Sequence, residues 1–229
     1  MKKVLVIFGF GPGISSAVAR KFGAEGFSVA LVSRNRERLD AGVAALASEG
    51  IEAAAFTADA ADPASVVRAI EEVRNKLGPI TAIEWTAYEL KAGDVTKASA
   101  DELRELFDVP IVGLVTAVQA ALPDLEQNEG SAVLVTNGGL GLFDPQADQV
   151  GVSWNVMGLS IANAAKHKLV RLLSHKLQPL GVYVGEVVVL STVKGSAFDT
   201  GSGTLEAARV ADEFWKLYSA REQVSSIVG

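Results

Sequence analysis

The chain has 229 residues, 49% apolar and 21% charged, with a net charge of −6, no cysteine and only two histidines. That balance suits one globular α/β domain with a sizeable core. It excludes disulfides and a thiol nucleophile. It leaves too few ligands for a histidine metal site, and without a basic block it argues against a nucleic-acid partner.

Met1-Lys2-Lys3-Val4 has the basic start of a signal peptide, but the apolar run Val4–Phe10 is too short and ends in a Gly/Pro turn. Val4–Phe8 reads instead as a strand covered on both faces. A helix over Ile14–Phe22 follows, stopped by Gly23 or Gly26. Ser28–Ser33 is the next strand, and Arg36–Glu49 is a helix with Leu39, Val43 and Leu46 on one face and Gly50 as its stop. After the strand Ile51–Thr57, Asp62 caps a helix with Pro63 in its first turn and Val66, Ile70 and Val73 at helical spacing. Ile80–Thr86 is a strand. Ser99 and Glu102 form a capping box for a long helix to about Leu125, which Pro110 must kink. The strand Ala132–Thr136, the helix Ser153–Leu180, the strand Val182–Leu190, the helix Leu205–Tyr218 and a last strand Ser226–Val228 complete the chain.

Alternating strands and helices imply right-handed βαβ units. The expected fold is a doubly wound parallel sheet with helices on both faces, a Rossmann-like three-layer α/β/α domain spanning residues 1–229. Val109–Pro123, the longest uncharged apolar stretch, is too short to span a bilayer. The expectation is a soluble cytoplasmic protein with no membrane partner.

The first chemistry lies in Gly9-Phe10-Gly11-Pro12-Gly13-Ile14-Ser15. Glycines let the chain turn sharply and let backbone N–H groups approach a pyrophosphate, and the following helix points its positive end there. The turn directly follows a strand and opens a helix, the context a dinucleotide site requires. Gly9, Phe10, Gly11, Gly13 and Ile14 are therefore expected to bind cofactor. The second strand ends Val32-Ser33-Arg34-Asn35-Arg36. About 20 residues past the turn, an acid would hold the ribose of NAD, whereas Arg accommodates the 2′-phosphate of NADP. Ser33 and Arg34, with no acid before Glu37, point to NADP(H), with Arg36 the next candidate.

In this order of features the chain resembles the short-chain dehydrogenase/reductase family over nearly its whole length. The resemblance rests on Gly9-x-x-x-Gly13-x-Ser15, Ser33-Arg34-Asn35, Asp59-Ala60-Ala61-Asp62, the Gly130–Thr136 strand and Gly181-Val182-Tyr183-Val184. It implies that Asp59 faces the adenine with Ala60 beside it. It also implies that Thr86 and Ala87 stand at the cofactor wall, where the family has Asn-Asn-Ala-Gly and this chain has Trp85-Thr86-Ala87-Tyr88.

The family's catalytic set does not carry over. Pro110 stands at the helical Asn position, and Asn137 or Gly138 at the Ser position. There is no Tyr-x-x-x-Lys: the tyrosines are Tyr88, Tyr183 and Tyr218. Alignment through Arg171, Leu173 and Leu177 sets Leu159 and Asn163 at the Tyr and Lys positions; a shifted alignment gives Ala162 and Lys166. Leu159 has no proton to give, and Asn163 could bond a ribose hydroxyl but carries no charge. Positioned proton transfer is worth ~10²–10⁴-fold, so another group must act. The catalytic candidates are Asn137, Tyr88 and Asn163. Thr136, Ser153, Asn155 and Ser160 lie near the same face, and Trp85, Tyr88 and Trp154 are candidates for an apolar substrate pocket. His167 and His175 read as a solvated or interface face.

The resemblance implies an atypical NADP(H)-dependent oxidoreductase moving hydride to or from a small organic substrate: a carbonyl, imine or activated alkene. A catalytically inactive NADP(H)-binding sensor or partner subunit, and a non-redox enzyme on the same fold, are the alternatives. The long helices carry apolar residues on more than one face: Val109, Val112, Val115 and Val118 on the first, Met157, Ile161, Leu169 and Leu172 on the second. That pattern calls for a second covering surface, hence a homodimer or homotetramer. Ser191–Gly203, rich in Ser, Thr and Gly, is expected to be a mobile substrate lid.

Overall fold

The continuous apolar runs become the central strands of a computed structural model that describes residues 2–229; Met1, the head of the signal-like segment, lies outside the described residues. The strands are β1 (Lys3–Phe8), β2 (Phe27–Ser33), β3 (Ala53–Thr57), β4 (Ala82–Trp85), β5 (Ala132–Gly138), β6 (Tyr183–Val189) and β7 (Ser225–Val228). They form one seven-stranded sheet in the order β3-β2-β1-β4-β5-β6-β7, parallel throughout. The chain winds outward from β1 to β3, then returns to start β4 on the other side of β1. That reversal opens a crevice at the carboxyl ends of β1 and β4.

Strand alternation sorts the core into two layers. Val4, Val6, Phe8, Ile83, Trp85 and Val133 face α3 (Pro63–Leu77), α5 (Leu114–Gln127) and α7 (Met157–Leu177). Leu5, Ile7, Ala82 and Leu134 face α1 (Ile14–Ala24), α2 (Arg36–Ser48) and α8 (Ala207–Ala220). Phe22 anchors the second layer, edge-on to Phe27, Trp215 and Tyr218. Burying one such side chain contributes about 1.5–3 kcal/mol.

The predicted helix Ala100–Leu125 is present in three pieces. The Ser99–Glu102 capping box starts α4 (Ala100–Glu105). Asp108–Gly113 then forms a wide π-type turn before α5. Val112 N–H bonds back five residues to the Phe107 carbonyl at 2.9 Å. Pro110 is the cause: it lacks an N–H and crowds the preceding turn. Gly113, at the end of this turn, lets the helix press against the loop after β3, since a Cβ there would lie 2.1 Å from the Ala60 carbonyl. Ala100–Gln127 is long and apolar enough to cross a bilayer by composition. Leu114, Ala117, Val118 and Ala121 on it are instead buried in the core.

The second long helix begins later than expected. Asp144 and Pro145 open a separate helix, α6 (Pro145–Ser153), in which the Asp144 carboxylate accepts Gln146 N–H at 2.9 Å and Ala147 N–H at 3.0 Å. Asn155, at φ +56°, breaks the chain before α7. The signal was legible as an Asp-Pro cap.

Candidate active site

Backbone geometry builds the glycine turn. Gly9 sits at φ +87°, and a Cβ there would meet Ala87 N at 2.5 Å, so only glycine lets the end of β1 lie against the segment leaving β4. The N–H groups of Gly9 and Phe10 both donate to the Val32 carbonyl at 3.0 Å, tying the turn to β2. Ser15 fastens the turn. Its hydroxyl accepts Gly11 N–H at 2.9 Å and donates to the Gly11 carbonyl at 3.0 Å. Gly13 (φ +92°) then opens α1, whose first turn has no acidic residue and no side-chain cap. The free N–H groups beyond Gly13 and Ile14 are left to an anion.

A cleft of about 520 Å³ lies at the carboxyl ends of β1 to β4. Gly9, Phe10, Ser33, Arg34, Asp59, Ala60, Thr86 and Ala87 all line it. The predicted cofactor residues thus meet in one place, except that Gly11, Gly13 and Ile14 belong to the turn rather than to the walls. Gly13 also faces the loop after β6: a Cβ on it would lie 3.4 Å from Ser196 Cβ. Asp59 keeps both of its expected roles open. It lines the cleft, and its Oδ1 accepts Ala61 N–H at 3.0 Å as a turn residue does.

The cationic end of this cleft differs from the sequence reading in one residue. Arg36, the second choice for a phosphate, points away and pairs with Asp40 at 2.9 Å. Arg38 takes its place: it lines the cleft beside Arg34, and its guanidinium lies 3.6 Å from where a Gly11 Cβ would be. Asn35 caps α2 by accepting Arg38 N–H at 2.8 Å, which fixes the first turn from which Arg38 projects. The Ser33 hydroxyl is buried at the cleft wall and makes no hydrogen bond among the described residues. A buried, unpartnered hydroxyl beside two cations fits an incoming polar group.

At the α7 end, the catalytic candidates Asn137 and Asn163 are otherwise engaged. Asn137 is buried; its amide donates to the Asn163 carbonyl and to Glu186 Oε2, each at 3.1 Å, and its Oδ1 accepts Gly138 N–H at 3.0 Å. Asn163 is buried against the end of β5, where a Cβ on Gly138 would lie 2.8 Å from its Nδ2. Leu159 and Ala162 are buried too, so neither alignment brings a hydroxyl to the sheet side of α7. Tyr88 is 40% exposed, lines the cleft with Arg34 and Arg38, and packs on Phe198 at 5.1 Å. It stands at the cationic end, away from α7. Burial raises its hydroxyl pKa, against the opposing Arg38 charge. Trp85, a pocket candidate, is wholly buried and stacked on Phe8, whereas Trp154 is exposed.

Sequence reasoning named Lys166 only as an alignment alternative and missed the two glutamates buried with it. Glu84 on β4, Glu186 on β6 and Lys166 on α7 are all buried. Burial pushes the Glu84 carboxyl up to about 7, against hydrogen bonds from Thr86 and Thr136 and the Lys166 charge. Burial likewise brings Lys166 down to about 8, against the pull of Glu186 and Glu84. His167, expected on a solvated or interface face, instead sets Nδ1 against Glu186 Oε1; His175 is exposed on the last turn of α7. The available signal was a glutamate inside each of two otherwise apolar strands.

The parallel sheet, its switch point and the glycine turn define a dinucleotide-type α/β fold. The family model for short chain dehydrogenases matches residues 3–193, and the chain belongs to that family. It is 38% identical to meso-2,3-butanediol dehydrogenase of Serratia marcescens over 131 residues, 57% of this chain and 51% of that relative. The chain thus spans about half the length of that curated relative. Its fold matches a Pseudomonas aeruginosa PAO1 short-chain oxidoreductase, solved with NADPH and described as containing an atypical catalytic centre. The TM-score is 0.84 at 22% identity, over 98% of this chain and 94% of that one. A Burkholderia cenocepacia J2315 short-chain dehydrogenase in complex with NADP matches with a TM-score of 0.83 at 24% identity, over 99% and 96%.

Proposed function

We propose that this single-domain protein is an NADP(H)-dependent oxidoreductase that moves hydride to or from a small organic substrate without the usual tyrosine acid. The observation that carries the reading is the unpartnered Ser33 hydroxyl beside Arg34 and Arg38 in the switch-point cleft. In this reading Ser33, Arg34 and Arg38 hold the 2′-phosphate, with Gly9, Phe10, Gly11, Gly13 and Ile14 at the pyrophosphate. Asp59 and Ala60 stand at the adenine, and Thr86 and Ala87 along the ribose wall. The bound dinucleotide supplies or accepts the hydride. The chain's own residues bind it, orient it and keep water from the reacting carbon. The NADPH- and NADP-bound relatives support the cofactor, and membership of the family supports the reaction class.

The test is oxidation of NADPH over a panel of aldehydes, ketones and imines. Substrate-dependent loss of NADPH absorbance is expected. Tight NADPH binding with no turnover would favour the second reading, a nucleotide-binding sensor or partner subunit, which the missing tyrosine on α7 supports. Neither reading needs nucleic acid, a metal or a membrane, and a cytoplasmic setting suits both. We further propose a homodimer or homotetramer built on the Asp108–Gly113 turn with α5, and on α7. Val112, Ile161 and Leu172 are 40%, 42% and 56% exposed. Val109 and Val118, by contrast, are buried within the chain. Light scattering at micromolar protein should give at least twice the chain mass; a monomer would end this proposal.

A further inference from the structure

We propose that Glu84 is the proton reserve of this site and that the Thr86 hydroxyl, which Glu84 controls, hands the proton to the substrate. The proposal rests on reading the cleft as a hydride-transfer site.

Glu84 lies in β4 in register with Ile7 of β1 and Leu134 of β5, wholly buried where its neighbours are apolar. A carboxyl in such a place needs a reason, because burying it without full hydrogen bonding is costly. Its Oε1 contacts Thr86 Oγ1 and lies 2.8 Å from Thr136 Oγ1. The two hydroxyls are 3.0 Å apart. Its Oε2 makes no hydrogen bond among the described residues. Thr86 lines the cleft. A hydrogen-bonded route therefore runs from a carboxyl sealed from solvent to the cleft wall.

Counting hydrogens shows what the route does. Each threonine hydroxyl has one hydrogen to give. With Glu84 ionised, both hydroxyls donate to Oε1, and Thr86 offers the cleft only lone pairs. With a proton on Oε1, that proton goes to Thr86 Oγ1, Thr136 still donates to Oε1, and the Thr86 hydrogen is free for the cleft. Protonation of Glu84 thus turns Thr86 from an acceptor into a donor.

In the reducing direction, hydride forms the new C–H bond at the carbonyl carbon and the π electrons move to oxygen. That oxygen takes the Thr86 proton as Oε1–H passes its proton to Thr86 Oγ1. The substrate is reduced, the dihydronicotinamide is oxidised, and Glu84 is left as a carboxylate that regains a proton from solvent before the next turnover. Oxidation runs the same steps in reverse.

The charge acting on Glu84 is Lys166 of α7, which also faces Glu186, itself against His167. The flanking strands present only Ile7 and Leu134 in register. One ammonium shared between two buried carboxylates leaves burial the larger influence on Glu84, so the group sits at about 7. A general acid works best near the operating pH.

The test combines infrared difference spectra with the pH dependence of NADPH-driven reduction of 4-nitrobenzaldehyde. The unmutated protein should show a protonated-carboxyl band that titrates near neutrality, and Glu84→Gln should lack it. In the unmutated protein kcat/KM should fall tenfold per pH unit above that titration. Glu84→Gln should lose ~10²–10⁴-fold and lose that pH limb. Glu84→Asp should recover part of the rate on a displaced limb. Thr86→Val should match Glu84→Gln, and Thr86→Ser should restore most of the rate. Should Glu84→Gln fail to fold by circular dichroism, the Thr86 pair decides with Glu84 intact. A band that does not titrate, or a Thr86→Val enzyme that keeps its rate and limb, overturns the proposal. No turnover with the band present would overturn the hydride reading and the delivery step with it; turnover without the band would overturn this proposal alone.

Discussion

The cleft's cationic end and its α7 end use different materials. At the first, Gly9 at φ +87°, the Ser15 staple and the free N–H groups of α1 make a binding surface from backbone, with Ser33, Arg34 and Arg38 adding the side-chain contacts. At the second, Leu159, Asn163 and Asn137 are buried, and a buried carboxyl, Glu84, is hydrogen-bonded to Thr86 and Thr136. A backbone site persists while its glycines persist. A side-chain site can lose its acid outright, and what replaces it need not occupy the same position. The contrast teaches that nucleotide binding and proton chemistry are separable on this fold, since function belongs to the site.

The separation can be broken from the binding end. Gly9→Val should have the largest effect, because the new Cβ would collide with the Ala87 backbone and the φ of +87° disfavours any side chain. The variant should lose NADPH binding and be destabilised by about 3 kcal/mol or more, read by calorimetric melting. A Gly9→Val protein that melts and binds normally would show that the turn is not held as described.

At the other end the expected effect is on stability and pH. The Glu84 carboxyl is raised from 4.5 to about 7 in the folded protein. The folded state therefore holds more protons than the unfolded one between those values. Its contribution is fully present below pH 4.5 and is lost as pH rises through 7. Glu84→Gln removes this dependence, so it should be relatively more stable at pH 8 than at pH 4.5, by on the order of 3 kcal/mol. Denaturant melts of both proteins at the two pH values measure it; parallel curves would contradict the buried-acid description.

The smallest effect concerns the Ser191–Gly203 loop, which meets Gly13 through Ser196 and Tyr88 through Phe198. Asp199 gathers the N–H groups of Gly195, Gly201 and Gly203, each at 2.8 Å, and these bonds hold its carboxyl below the ordinary value. Asp199→Ala should speed hydrogen exchange across Ser191–Gly203 several-fold while leaving the melting temperature nearly unchanged. NADPH with a substrate analogue should slow the same amides in the unmutated protein. Exchange indifferent to both changes would remove the loop from the site.

Much of this was legible in sequence, and for definite reasons. The parallel sheet follows from short apolar runs alternating with amphipathic helices, and the turn from glycines placed between a strand and a helix. Ser33 and Arg34 could be named from the end of the second strand, whereas Asp59 and Thr86 were named from the family resemblance; all four line the cleft. Three things were not legible. Pro110 announced a kink, but not that it would be a π-type turn pressing Gly113 on Ala60. Arg38, and not Arg36, faces the cleft because of where the Asn35 cap sets the phase of α2, a rotation that composition does not reveal. Glu84, Lys166 and Glu186 come from three distant segments, and only the fold brings them within reach of one another.

The cationic end should select NADPH over NADH. Titration calorimetry of NADPH and NADH on the unmutated protein and on Arg34→Ala tests it most directly. A charge-assisted phosphate contact contributes about 1.5–3 kcal/mol. NADPH should therefore bind roughly ten- to hundred-fold tighter than NADH, and added salt should narrow the gap. Arg34→Ala should erase most of the preference and leave NADH affinity nearly as it was, with Arg38 accounting for what remains. Equal affinities for the two dinucleotides in the unmutated protein would contradict the account.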